Sequence, residues 1–482
     1  MHTCALIMSE TALYSLLGSL RTTGVTFIGL KFVMRYLGII LVLCSFPMFL
    51  SVLRSGPTAQ RWAIMALGAL PVIGVALNVD AAFVNWATWP GHTKGIIVSL
   101  TDTLALAICV KFCSRQKNPL LLWIWVFYIL SNLPGLFLGS LFSPALFFLV
   151  SLIKAAIYFL ACYYVFCRGG LSLFVSGLCA AVLANSSTTI MHFLQGQAQP
   201  AGLVGHRNHA GMINNLAIPI LLVVGSLPRI KVLPLLTVCL AGIAAVLSSS
   251  RAVLILFGFT VYLTLIFALF VKPSKQFKII LTVCVFVSFV AIPISIHKIS
   301  QRSEDGEIVL SKDPERLAFE RAAHMMNKDY PWGIGLNQYA VLANTGGYSA
   351  AAGVAWTTSA KSATVHNSFV LVRTEGGPIA LVGMLALFLT TIAISASVMW
   401  RRRNNSARIF AVPALVATLV LSIHLSFEWV FVSITTLYGF ASITALAAYA
   451  IEASRRKVAQ QKRSLAPSPL DQALAQPQTL GR

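Results

Sequence analysis

The chain has 482 residues, 57% of them hydrophobic and only 10% charged, with a formal net charge of +22 and a mean hydropathy of +0.81. Soluble domains carry about 25% charged residues, so the composition excludes a soluble globular protein and points to an all-α, polytopic membrane protein. The positive charge would suggest a nucleic-acid partner in a soluble chain. Here most Lys and Arg fall in alternate short loops, the pattern of cytoplasmic loops in membrane proteins, and no nucleic acid is expected.

A spanning helix needs about 20 mostly apolar residues. In chain order the candidate spans are 36–53, 62–78, 94–111, 119–138, 145–167, 171–190, 210–227, 230–247, 251–271, 279–297, 378–400, 408–427 and 429–451, which predicts 12 or 13 transmembrane helices. The stretch to Arg35 reads as an interfacial amphipathic helix or as part of a longer first span. Met1 to Leu20 lacks the basic start and clean apolar core of a signal peptide. The organisation is therefore membrane helices over 1–297, a large polar loop over 298–377, membrane helices over 378–453, and a tail over 454–482. From Ser464 the tail is rich in Ala, Pro, Gln and Ser, which predicts disorder.

Arg54/Arg61, Lys111/Arg115/Lys117, Arg168, Arg229/Lys231, Lys272/Lys275/Lys278, Arg401/Arg402/Arg403/Arg408 and Arg455/Arg456/Lys457 alternate with loops nearly free of Lys and Arg. The basic loops and the C-terminus are predicted cytoplasmic. The opposite side then carries the large loop, the Gln195–His209 loop and the Ser248–Arg251 turn. The nine cysteines lie in or beside apolar runs with no C-x-x-C pair, so neither disulfides nor a Cys-based zinc site is expected.

The polar segment from His297 to Gly377 holds more than half of the acidic residues: Glu304, Asp305, Glu307, Asp313, Glu315, Glu320, Asp329 and Glu375. Within it, Asp313-Pro314 caps a predicted amphipathic helix with Phe319, Ala322, Ala323 and Met326 on one face, expected to lie on the membrane or to roof a site. Arg316 and Arg321 on that helix are ordinarily solvated, yet either could reach a substrate phosphate.

Three groups stand on the side that disfavours positive charge: Arg207 before the seventh span, Arg251 opening the ninth, and His366 ahead of the eleventh. Two guanidiniums can bind a pyrophosphate bidentately and neutralise the charge that grows on it as a leaving group. Span N-termini add backbone N–H donors there. His366, near a helix start with Thr364 as its expected N-cap, should stay neutral and could take a proton from an attacking hydroxyl. The competing reading is that interfacial Arg residues snorkel and that the His is structural. His206 and His209 could join His366 in a three-His metal site, but no carboxylate or Cys accompanies them, and no metal or other cofactor is expected. Asp102 and Lys154 lie within predicted spans and should each face a partner inside the bundle, an arrangement that also suits a transporter pathway.

Four blocks carry a resemblance. They are Gly205-His-Arg-Asn-His-Ala; Ser249-Ser-Arg251 opening a span; Arg316 followed by Tyr330-Pro-Trp-Gly-Ile-Gly-Leu-Asn-Gln-Tyr339; and His366-Asn367 with Glu375 and Gly377 downstream. Over roughly Ala201 to Glu428 the chain resembles the O-antigen ligase and polysaccharide polymerase superfamily of bacterial envelope glycosyltransferases. The resemblance implies a multi-pass protein of the bacterial inner membrane with the large loop periplasmic. It also implies transfer of a glycan from undecaprenyl pyrophosphate to a hydroxyl, with inversion and without metal or nucleotide sugar. His366 and Arg251 carry over as catalytic residues, as does Arg207, although the basic position in its loop varies within the family. Asn367, Asn208, Arg316 and Arg373 are the matching candidates for substrate contacts.

Arg373 stands where the family usually has an apolar residue, seven after His366 and so expected on the same helical face, to contact an anionic substrate or pack with Glu375. The His-Arg-Asn form is closer to the exopolysaccharide polymerase branch, so the expected reaction is polymerisation of surface or exopolysaccharide repeats. The alternatives are ligation onto lipid A core, then protein glycosylation. Flippase and chain-length or export proteins are the implied partners, besides the lipid bilayer. A transporter or flippase of polyprenyl-linked sugars is the alternative from another class, and it would show inverted repeats and broken helices at midplane.

Overall fold

The computed structural model describes residues 24–77, 80–113, 118–197, 199–225, 232–248, 250–285, 314–357, 362–401 and 406–465. The elements are α1 (Gly24–Ser55), α2 (Pro57–Leu77), β1 (Asp80–Asn85), β2 (Gly95–Ser99), α3 (Leu100–Phe112), α4 (Leu120–Ser131), α5 (Gly135–Leu138), α6 (Phe142–Cys167), α7 (Leu171–Leu194), α8 (Arg207–Val224), α9 (Leu233–Leu247), α10 (Arg251–Val271), α11 (275–285), α12 (Pro314–Asp329), α13 (Tyr339–Thr345), α14 (Tyr348–Ala351), α15 (Ser368–Arg401), α16 (Ala411–Leu425) and α17 (Ile434–Leu465). Short 3-10 turns precede α16 and α17. The protein is an all-α polytopic membrane protein. Nine helices among the described residues are long and apolar enough to cross a membrane.

The centre of the bundle is α8, buried at every residue from Asn208 to Val224, with α7, α9, α10, α16 and α17 around it. Asn214 on α8 is tolerated there because it is bonded to α7. Asn185 on α7 donates to the Ala210 carbonyl and to Asn214 Oδ1, and Asn214 donates to Ser186. Elsewhere close approach depends on small residues. A Cβ at Gly177 would lie 1.9 Å from the Met65 carbonyl oxygen, so only glycine lets α2 and α7 pack at this distance.

Several sequence-based boundaries shift. Residues 94–111 do not form one span: the β-branched run Ile96, Ile97, Val98 pairs as β2 with β1, leaving a 13-residue α3. This antiparallel hairpin, Asp80 opposite Ser99 and Asn85 opposite Gly95, was not anticipated. Of the stretch before Arg35, residues 24–35 continue into α1 and so belong to a longer first helix, while 1–23 lie outside the described residues. At the other end α17 runs to Leu465, past the expected start of the tail, because no glycine or proline interrupts 440–465. Residues 466–482, and 286–313 with most of the predicted span 279–297, also lie outside the described residues.

Asp102 and Lys154 do find partners. Lys154 Nζ lies 2.9 Å from Asp102 Oδ2 and also donates to the Ile97 carbonyl on β2. The same carboxylate accepts from the Ser99 N–H and hydroxyl and from the Tyr438 hydroxyl. One ion pair thus fastens the hairpin and α3 to α6 and α17.

Candidate active site

The site is built on a reversal inside α15. Phe369 and Phe388 are 19 residues apart, about 28 Å in a straight helix, yet their ring centroids are 6.3 Å apart. The turn is at Gly377, with φ 76° and ψ −174°, followed by Pro378. A side chain at 377 would collide with the Trp332 carbonyl oxygen, 2.0 Å from a Cβ placed there, so both the left-handed φ and the contact require glycine. The arm 368–376 therefore folds back along the arm 378–401. Its first residue, Ser368, starts beside the turn that follows α16. The Ser368 hydroxyl and N–H donate to the Glu428 carbonyl at 2.6 and 3.1 Å.

His366 sits ahead of this arm, half-buried, with the Phe319 ring 6.0 Å away. Asn367, not Thr364, caps the arm: its Oδ1 accepts from the Phe369 and Val370 N–H groups at 3.1 and 3.2 Å. Because His366 precedes the cap, the expectation that Arg373 shares its helical face does not hold.

A cavity of about 310 Å³ opens beside His366, lined also by His206, Arg207, Asn208, Glu315, Arg316 and Phe319. That is within the usual range of small-molecule sites, about 300–1,000 Å³. His206 takes the N-cap position of α8 in extended conformation and Arg207 is its first residue, so the positive end of the α8 dipole faces the same space. The amphipathic helix expected over 313–326 is α12. It buries Ala318, Phe319, Ala322, Ala323 and Met326 and brings Arg316 and Phe319 to the cavity.

A hydrogen-bond network behind the cavity holds these groups in register. Ser250 donates to Asn208 Oδ1 (2.7 Å), Asn208 Nδ2 donates to Glu428 Oε1 (2.5 Å), and Arg316 Nη2 donates to the same oxygen (3.0 Å). Arg316 Nη1 also donates to the Phe427 carbonyl (3.2 Å). Glu428 is fully buried, and burial raises its pKa above the usual carboxylate range, with Arg316, Asn208 and Arg207 opposing. The surrounding protein, then Arg207 and Arg316, lower the His206 pKa. At neutral pH the cavity's positive charge therefore rests on guanidiniums, with His206 uncharged.

Arg251 is placed differently from the other candidates. It is the first residue of α10, exposed, next to the N-cap Ser250 that bonds Asn208, and it is not among the cavity-lining residues. His206 and His209 part company: His206 lines the cavity, whereas His209 is buried in the bundle with Nε2 3.1 Å from the Thr436 hydroxyl. Arg373 lies on the arm 368–376, half-buried and away from the cavity lining.

Two groups escaped the sequence reading. In the sequence Glu428 appears only as the far bound of the resemblance, although an acidic residue in an apolar segment signals a buried partner. His92 gave no signal: its Nε2 lies 3.1 Å from Glu375 Oε2, and the two meet only because the hairpin reaches across. Glu375 is buried and also accepts from the Asn337 and Tyr339 N–H groups (2.8 and 3.0 Å). The Tyr330–Tyr339 block is thereby pinned over the reversal, with Ile334 and Gly335 donating to the Thr374 and Glu375 carbonyls.

A change that removes the Glu428 charge but keeps its shape tests the network. Its raised pKa means that folding shifts Glu428 towards the protonated form relative to the unfolded chain. Its contribution to stability therefore falls as pH rises from the unfolded carboxylate value through the folded one. Glu428→Gln is expected to melt at or above the wild-type temperature at pH 7, while activity drops by about 10²-fold as Arg316 loses its fixed position. Thermal melts of the purified variant, paired with an activity assay, check both signs.

The architecture so far defines a multi-pass membrane protein with a cationic polar cavity at one end of its helices. Residues 236–385 match the family model described as O-antigen ligase. The match, over just under a third of the chain, supports the resemblance to the O-antigen ligase and polysaccharide polymerase superfamily and a membrane-embedded role of the O-antigen ligase/polymerase glycosyltransferase type. No curated protein matches the chain. The matched segment contains Arg251, Arg316, His366, Asn367 and Arg373, whereas Arg207 and Asn208, which line the cavity, and Glu428 behind it lie outside the segment.

Proposed function

We propose that the protein transfers a glycan from undecaprenyl pyrophosphate to a hydroxyl at the outer face of the bacterial inner membrane, polymerising repeat units of a surface or secreted polysaccharide. The observation that carries the reading is the convergence of Arg207, Arg316 and His366 on one cavity, with Asn208 and Glu428 fixing their positions. The charge pattern supports the orientation. α10 and α17 start at the cavity end and run towards Lys272, Lys275 and Lys278 and towards Arg455 and Arg456, so the basic ends lie opposite the site. The large loop is then periplasmic and the C-terminus cytoplasmic.

The acceptor oxygen attacks the anomeric carbon as the bond to the pyrophosphate oxygen breaks. The bonding pair leaves with the pyrophosphate, whose growing charge is met by Arg207 and Arg316, the α8 N-terminus, and Arg251 beside the network. The acceptor proton passes to His366. A single displacement inverts the anomeric centre, and the guanidiniums supply the neutralisation for which other transferases use a divalent ion. Asn208 and Asn367 orient the two sides of the cavity, one through Glu428 and one through the start of the arm 368–376.

Transfer onto lipid A core is the second reading, favoured by the name of the matching family model. Purified protein given lipid-linked repeats alone should produce a ladder of longer lipid-linked glycans. If product forms only when lipid A core is added, the protein is a ligase. If neither acceptor is glycosylated, the transferase assignment itself falls.

A further inference from the structure

We propose that Arg373 marks a second anion subsite, which receives the phosphate group carried by the lipid-borne acceptor. The inference rests on the transferase reading and adds to it where the acceptor's charge is held.

Arg373 is half-buried on the arm 368–376, and its Nη1 is buried without a hydrogen-bond partner among the described residues. A guanidinium nitrogen withheld from water costs free energy unless an acceptor reaches it. The carboxylate that could serve, Glu375, is committed elsewhere: its oxygens accept from His92, Asn337 and Tyr339. Pairing of Arg373 with Glu375, the structural alternative in the sequence, is therefore not what the arm provides. The other buried carboxylate at this end of the bundle, Glu428, is engaged by Asn208 and Arg316.

Arg373 lies five residues past Ser368, about 8 Å along the helix axis from the end of the arm that His366 precedes. The arm thus leads from the reaction cavity, where Arg207 and Arg316 stand, to a separate cationic place near the reversal at Gly377. The chemistry requires both if the acceptor is itself anchored through a phosphate. The donor's pyrophosphate is released and gains charge in the transition state. The acceptor's phosphate keeps its charge from binding to product. A residue that holds the acceptor's phosphate binds ground and transition states alike, so its loss falls on acceptor KM rather than on kcat. Arg207 and Arg316, facing the leaving group, should show the opposite split.

The ligand chemistry, a phosphate ester on a lipid, has two sources: a second undecaprenyl pyrophosphate glycan or the phosphorylated lipid A core. Native mass spectrometry of the full-length protein in detergent counts bound undecaprenyl pyrophosphate, and a second titration adds lipid A core to protein holding one carrier. The wild type should take a second lipid of one of these kinds, and that kind identifies the source. Arg373→Gln should weaken the second binding event by about 10–100-fold and leave the first in place. Arg373→Lys should fall between them, since it keeps the charge and loses the fork. A matching rise in acceptor KM, with a smaller change in kcat, gives the kinetic signature. Melting curves show that each variant is folded, and Arg373→Lys carries the test should the glutamine variant fail to fold. Equal second binding by wild type and variants, or no second lipid of either kind on the wild type, overturns the inference. Absence of glycan transfer by the wild type instead overturns the transferase reading, and the binding count stands apart from it.

Discussion

Replacing His366 with Ala is expected to reduce glycan transfer by about 10²–10⁴-fold, the usual cost of losing a positioned base, with little change in melting temperature. The structural reason for the split is that His366 stands before the cap of the arm 368–376 and carries none of its helix. Asn367 supplies the cap, and Ser368 supplies the tie to Glu428. The Phe319 ring lies 6.0 Å from the imidazole. A single-turnover assay with lipid-linked repeats, run beside thermal melts, separates chemistry from folding. A wild-type rate in His366→Ala would remove the base from the mechanism and leave the imidazole a structural role.

Arg207→Ala should cost about 10²–10³-fold in kcat, the magnitude seen when one preorganised donor to a developing anion is lost. Arg207→Lys should recover only part of it, because an ammonium cannot make the bidentate contact. Arg251 gives the internal comparison. It stands next to Ser250, outside the cavity lining, so Arg251→Ala is expected to lose less than Arg207→Ala. The reverse order would mean that the pyrophosphate lies nearer α10 than the cavity indicates. Rates for both variants at saturating donor decide the order.

Local patterns in the sequence made much of this legible. The apolar runs located the membrane helices, and Phe319, Ala322, Ala323 and Met326 at helical spacing revealed α12 and its buried face. The charge rule singled out Arg207 and His366, which do meet at one cavity. Long-range pairing was less visible. Residues 94–111 read as a span by hydropathy alone, since Ile96, Ile97 and Val98 are as apolar in a strand as in a helix and only pairing with 80–85 decides between them. The reversal at Gly377 was hidden for a similar reason. Gly-Gly-Pro marked a helix start in the sequence, but the contact of Phe369 with Phe388 depends on tertiary packing. Glu428 carries no motif that announces its partners, 112 and 220 residues away in Arg316 and Asn208.

The hairpin and the block 330–339 have a consequence for how portable the reaction machinery is. Asn337 makes two hydrogen bonds to Thr93, accepts one from Trp89 and donates one to Pro144, while Gln338 clasps Ser140 and Leu141. The stretch common to the family is thus riveted to parts of the chain that the family model does not cover. A chimera that grafts residues 236–385 onto a foreign set of N-terminal helices would sever those rivets together with the links from Glu428 to its neighbours. Such a graft should insert yet assemble an ill-shaped cavity. Exchange of specificity between relatives is then better attempted by swapping the first 225 residues and the helices after 400 along with the matched stretch, or by altering single side chains on the cavity wall.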